Sequence, residues 1–197
     1  MSAEASTAMP YGGWATLLAA WQEMDVPEGW RAEIVGEGIT VTPPPGNGHN
    51  SIADLVHRAL ARLIPDDWGL YQTLGMSIPL RLKLFIPDLA VVPRSDVNSR
   101  PDNEPVPADL ALLIVENTSR GSAETDRKTK RWGYAHAGVP QYLLIDRFDE
   151  DGPAVSLFSD PVDGHYQHIT RIPFGEKISL PEPFGLDLDT SAFSDVL

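Results

Sequence analysis

The chain has 197 residues, 15 Lys and Arg against 28 Asp and Glu, a formal charge of −13, and no cysteine. Such a length buries a core without staples, the lack of cysteine excludes disulfides and thiolate metal sites, and no stretch approaches the ~20 apolar residues of a membrane span. The acidic balance argues against a general polyanion binder, whose affinity rests on neutralising phosphates. Its distribution is uneven: from Asp146 to Leu197 there are 11 acids against 3 bases, whereas from Glu116 to His136 there are 5 bases against 3 acids. Without the basic-then-apolar start of a signal peptide, the expected location is the cytoplasm.

Residues 1–12 are small and polar and predict a flexible N-terminus; residues 13–197 predict one domain. Gly13 to Met24 has helical spacing, with Trp14, Leu17, Leu18 and Trp21 on one face. Arg31 to Val35 and Ile39 to Val41 flank Gly36-Glu37-Gly38, a hairpin turn rather than a phosphate loop. Pro43-Pro44-Pro45 stops extended structure, and Asn47 is the expected cap of a helix over 50–63. Strands follow at 71–80 and 87–92, then a proline-rich loop at 96–109 and an apolar strand at 110–116. Residues 122–137 predict a helix that stops at Gly138, and 141–146 the next apolar strand, which a helical crossover sets parallel to 110–116. Short strands at 155–159, 165–171 and 177–180 complete an α/β chain with a mixed sheet, flanking helices and a small C-terminal β extension.

Chemistry enters at Glu116, which follows Leu110-Ala111-Leu112-Leu113-Ile114-Val115 directly. A carboxylate at the end of a strand buried on both faces costs several kcal/mol unless a cation meets it. The cation is either a metal ion or a lysine of the Lys128/Lys130 pair. Pro87-Asp88 precedes a second apolar stretch, so two acids stand at strand ends that converge if the strands are neighbours. Hard dications take oxygen ligands, and the backbone carbonyl of Asn117 would point toward the same ion. Lys130 lies four residues after Asp126 and four before Tyr134, which puts all three on one helix face. Two acids, a dication and a lysine are the requirements of metal-assisted phosphodiester hydrolysis.

Val115-Glu116-Asn117-Thr118-Ser119, then Asp126 and Lys130, then Tyr134 through Asp146 (YAHAGVPQYLLID) resemble the Uma-type restriction-endonuclease family, within the PD-(D/E)XK nuclease superfamily. Pro87-Asp88 matches the first element and Glu116 the second acid; Glu33 to Ile39, the prolines and His49 are similar to the family's N-terminal hairpin and helix entry. The resemblance spans about residues 14–180 and implies a restriction-endonuclease-like core with Mg²⁺ or Mn²⁺ at Asp88 and Glu116. The superfamily's lysine belongs two residues after the second acid, where this chain has Thr118. The resemblance moves that role to Lys130, with Lys128 as fallback on another helix face, and adds Glu33 and His49 as possible contributors.

Blander roles compete with each assignment. Asp88 could cap a turn, Glu116 could pair with Arg120 or Lys130, and Lys130 could be an ordinary partner of Asp126, worth ~0.2–0.5 kcal/mol. His49 could be a solvated helix-start residue. His136, His165 and His168 lack ligand spacing, and Trp132 and Tyr134 read as core or groove walls. The expected function is a metal-dependent endodeoxyribonuclease acting on DNA as a homodimer. The alternatives are a repurposed nuclease fold that binds without cutting and a phosphodiesterase for a small substrate.

Overall fold

A computed structural model describes residues 13–36 and 38–196. The flexible segment expected over 1–12 and Glu37 of the expected turn lie outside them. The elements in order are α1 (Trp14–Gln22), β1 (Arg31–Val35), β2 (Gly38–Thr42), α2 (Asn47–Ala61), β3 (Trp68–Tyr71), β4 (Met76–Ile78), β5 (Lys83–Phe85) and β6 (Leu89–Pro93). Then come α3 (Arg94–Asn98), β7 (Val106–Pro107), β8 (Leu113–Asn117), a π-helical turn (Thr125–Lys130) running into α4 (Arg131–Ala137), and β9 (Gln141–Asp146). The chain finishes with β10 (Ala154–Val162), β11 (His165–Pro173), β12 (Lys177–Leu180) and β13 (Leu186–Asp189).

The central sheet has the order β11-β10-β9-β8-β6-β3, and the second has β2-β1-β5-β4-β7. β8 and β9 are parallel, as the crossover requires, and the other pairs of the central sheet are antiparallel. β8 is buried at all five positions, and its residues alternate between two cores. Leu113 and Val115 face α2, packing with Ile52, Val56 and Leu60. Ile114 faces α4 and the second sheet, packing with Tyr134, Tyr142, Phe85 and Met76. On β6, Leu89 and Val91 join the first core, and Ala90 and Val92 the second. Leu17 of α1 is buried with Ile34 and Leu84, with Trp14, Leu18 and Trp21 packed around them, the face expected from their spacing.

Several elements depart from the sequence expectation. The strand expected over 71–80 is two strands in different sheets, parted after Tyr71 where Thr73 takes a left-handed φ of 60°. The loop expected over 96–109 holds the end of α3 and the short β7, and the strand expected at 110 starts at Leu113 after a 3-10 turn over Ala108–Leu110. Asn47 is the first residue of α2 and Gly46 precedes it, with no side-chain cap. β13 pairs with β12 to form the C-terminal ribbon, and Phe193 in the closing 3-10 turn fills the α2-side core. The helix expected over 122–137 is π-helical between Thr125 and Lys130, a form concentrated at functional sites.

The crossover is pinned at its far end by Asp146. Arg127 of the π turn donates to it twice, Nε to Oδ2 at 2.5 Å and an Nη to Oδ1 at 2.9 Å, while Thr118 Oγ1 and the Phe148 N–H also donate to Oδ1. Burial alone would raise this carboxyl's pKa, but the Arg127 pair and the N–H and O–H donors outweigh it and lower it. Its stabilisation is therefore complete above the unfolded carboxyl's pKa of 3.8 and fades as pH falls through the lower folded value. Asp146→Asn should cost ~2–3 kcal/mol at pH 7. In urea melts the gap between variant and parent should narrow as pH drops below 4; a gap independent of pH would refute the charge assignment.

Candidate active site

Strand pleating and register assemble the site. β6 and β8 pair with Leu89 opposite Val115 and Ala90 opposite Ile114, so one further step sets Asp88 opposite Glu116. Both project to the α4 side, because they share parity with Ala90 and Ile114. Arg31 and Glu33 sit two apart on β1 and so share a face, opposite to the one by which Ile34 packs on α1. The π turn of the crossover brings Asp126 and Lys130 down onto the same space.

Lys130 is the hub. The residue is 5% exposed, and its ammonium lies 3.1 Å from Glu33 Oε1, 3.1 Å from Glu116 Oε1 and 3.5 Å from Asp126 Oδ1. The Tyr134 hydroxyl donates to Glu116 Oε1 at 3.4 Å, and the Ile86 N–H donates to Glu33 Oε1 at 2.6 Å. Asp88 forms the other half. Its Oδ1 accepts from Arg31 at 2.6 Å and lies 3.0 Å from His49 Nε2, and its Oδ2 accepts the Asn117 N–H at 2.8 Å. Apart from this contact with Asp88, neither ring nitrogen of His49 has a polar partner among the described residues. Asn117 points to the α2 side and donates from its amide nitrogen to the His49 carbonyl at 3.0 Å.

Arg31, Glu33, Asp88, Glu116, Asp126 and Lys130 all line one cavity of about 430 Å³, roofed by the proline run Pro43–Pro45. Four carboxylates against two cations leave a formal charge of −2 in a largely buried space. Burial and the neighbouring acids push Glu116 well above the usual carboxylate range despite Lys130. Burial, more than the adjacent acids, also raises Asp126. Burial would strip the proton from Lys130, but Glu116, Glu33 and Asp126 hold it charged. Asp88 goes the other way: burial opposes ionisation, yet His49 and Arg31 bring its pKa down to about 2.

The expected residues Asp88, Glu116, Lys130, Glu33 and His49 thus come together. Asn117 joins them through its N–H and side chain. Lys128 does not: it is exposed and pairs with Glu124 at 2.9 Å on the outer face, which removes it as the fallback lysine. Position 118 is no vacancy for a lysine either, since Thr118 is fully buried and bonded to Asp146. Arg31 and Asp126 belong to the site although the sequence reading assigned neither a site role. Asp126 had a signal, its four-residue spacing from Lys130, whereas Arg31 meets Asp88 across 57 residues.

The donor set suits a hard dication in type and in charge. Asn117 Oδ1 and Asp126 Oδ1 are also buried without a hydrogen-bond partner among the described residues. Among those residues, however, no group of three His, Asp or Glu side chains is already spaced to hold a metal ion. Nor is any helix among them long and apolar enough to cross a membrane.

The chain is similar to the crystal structure of a putative nuclease belonging to DUF820 from Anabaena variabilis, at 17% identity over 92% of this chain and 99% of that one, with a TM-score of 0.69. At that identity the likeness carries the fold alone. No curated protein matches the chain. The sequence model of the Uma2 family, described as "Putative restriction endonuclease", matches residues 18–191. A match over nearly the whole chain, on residues that converge in one acid-rich cavity, makes the protein a member of the Uma2 family.

Proposed function

We propose that the protein is a metal-dependent endodeoxyribonuclease that hydrolyses DNA phosphodiester bonds. The observation that carries this reading is the formal charge of −2 in the cavity shared by Asp88, Glu116 and Lys130, an excess of acid that one divalent cation cancels. Asp88 and Glu116 would hold Mg²⁺ or Mn²⁺, with the Asn117 backbone carbonyl as a further oxygen. A cation there supplies Lewis-acid stabilisation of the phosphoryl group and activation of water.

The chain's own residues do the rest. Lys130 keeps its proton among the acids and presents a fixed positive charge to the charge that builds on phosphorus. Glu33 and Asp126 orient that ammonium. Tyr134 holds Glu116 from beneath. Arg31, one-fifth exposed on its bond to Asp88, stands at the mouth where a strand phosphate would arrive. Each centre cuts one strand, so a paired double-strand cut would use a homodimer.

Glu116→Gln keeps the shape and removes the charge. It should lower Mn²⁺- or Mg²⁺-dependent cleavage of plasmid and single-stranded DNA at least ~100-fold, beyond the loss typical of residues that only support a metal ligand. Full activity in that variant would refute the site. A second reading, a nuclease fold that binds without cutting, draws on Asp88 being engaged by Arg31 and on Thr118 in the lysine position. It gains if neither metal supports cleavage of any DNA form.

The raised pKa of Glu116 makes a separate prediction. A carboxyl whose folded pKa lies above its unfolded value makes the folded state lose stability as pH rises from the usual carboxylate range through the folded value. A metal ion bound there would replace that proton. Calorimetry in buffers of differing ionisation heat should show proton release on Mn²⁺ binding and tighter binding at higher pH. Glu116→Gln should abolish the release; release unchanged in the variant would place the proton elsewhere.

A further inference from the structure

Asp88 is a wall between two chambers. On one side lies the acid-rich cavity. On the other lies an adjoining chamber of about 410 Å³, which shares Arg31 and His49 with the first and is lined also by Asn50, Asp54, His57 and Gln72. Its size falls in the ~300–1,000 Å³ range of small-molecule sites.

The chamber's formal charges are already committed. Arg31 pairs with Asp88 at 2.6 Å, and Asp54 pairs with Arg58 at 3.2 Å. Also facing the space are two amides, Gln72 and Asn50, the latter donating from Nδ2 to the Pro45 carbonyl at 3.4 Å, and two imidazoles, His49 and His57. α2 presents His49, Ala53 and His57 four residues apart along one face, with Ala53 as a small apolar floor. His49 is only 6% exposed; its Nε2 lies 3.0 Å from Asp88 Oδ1, while its Nδ1, like the His57 Nδ1, is buried without a hydrogen-bond partner among the described residues. Buried polar atoms left unmatched are costly, and a pocket lined with them is set for a ligand that supplies the matching groups.

The chemistry selects the ligand. A phosphate seeks net positive charge, and this lining sets one arginine, Arg31, against two carboxylates, Asp54 and Asp88. Amides and imidazoles instead offer paired donors and acceptors, the pattern that reads the edge of a nucleobase. We propose that this chamber receives one nucleobase of the strand whose backbone lies at Asp88, and so sets the base preference beside the cut. The proposal rests on the nuclease reading above. A base reaches such a recess only when unstacked, which favours single-stranded or locally opened DNA.

The test is a titration of metal-free protein with each of the four 2′-deoxynucleosides and with inorganic phosphate, following the histidine ring protons by NMR. One or two nucleosides should move the His49 and His57 signals, phosphate should not, and His165 on the distant β10–β11 hairpin should stay still. Gln72→Ala, an exposed site outside the cores, should weaken the responding nucleoside about tenfold, the worth of one good hydrogen bond. Phosphate alone moving the two signals, or no nucleoside moving them, overturns the proposal. Cleavage plays no part in this readout, so an inactive protein would defeat the nuclease reading without touching it. In an active protein, a randomised oligonucleotide pool cut with the same base preference by parent and Gln72→Ala would defeat the base pocket and leave the nuclease intact.

Discussion

Everything around the site depends on one buried ammonium. Lys130 has three acids within reach, and they come from three different parts of the chain: Glu33 on β1, Glu116 at the end of β8, and Asp126 within the π turn. A buried charge whose partners are removed costs ~3–5 kcal/mol, so these contacts dictate where the elements can sit. The second sheet cannot move away from the central one without breaking Glu33 from Lys130 and Arg31 from Asp88. The crossover cannot slide without lifting Lys130 off Glu116.

The same arrangement is over-supplied with negative charge, and that favours the proposed site over a structural ion pair. A pair built for stability would match its charges. Here Lys130 satisfies at most part of what three carboxylates demand, Glu116 is pushed toward its protonated form, and Asp126 follows. This imbalance of charge is held in place by the cores packed on both faces of the sheet. The aromatic layer under Glu116, with Phe85, Tyr134 and Tyr142 in contact at ring separations of 5.4 and 5.5 Å, supplies that rigidity on the α4 side.

How much of this was legible in the sequence follows from the range of each interaction. Glu116 is legible because an acid directly after a fully apolar run has no cheap explanation. Lys130 is legible because four-residue spacing survives in a π turn well enough to keep it against Asp126 at 3.5 Å. The antiparallel pairing of β6 with β8 makes Asp88 meet Glu116, and apolar character marks both strands in advance. Arg31 is illegible because nothing local to it speaks of Asp88, and the pairing exists only once two sheets are packed. The break after Tyr71 is illegible for a related reason: the hydrophobic pattern runs on past it, and what separates β3 from β4 is a backbone turn at Thr73 together with membership of different sheets. Thr118 is informative in hindsight, since its hydroxyl belongs to the Asp146 cluster that anchors the crossover, a place a lysine could not share with Arg127.

The period-two alternation of β8 finally accounts for the two-sided character of the site. Glu116 turns toward α4 and meets Lys130; Asn117, one residue on, turns toward α2 and holds the His49 carbonyl. The Asn117 N–H meanwhile grips Asp88. One strand end thus fixes the acid that would hold a cation, the helix entry that carries His49, and the carboxylate that divides one chamber from the other. The proposed chemistry on the α4 side and the proposed recognition on the α2 side are separated by a single peptide unit, so a shift of β8 large enough to disturb one would disturb the other. Coupling of that kind requires no moving lid; it follows from the pleat of one strand buried on both faces.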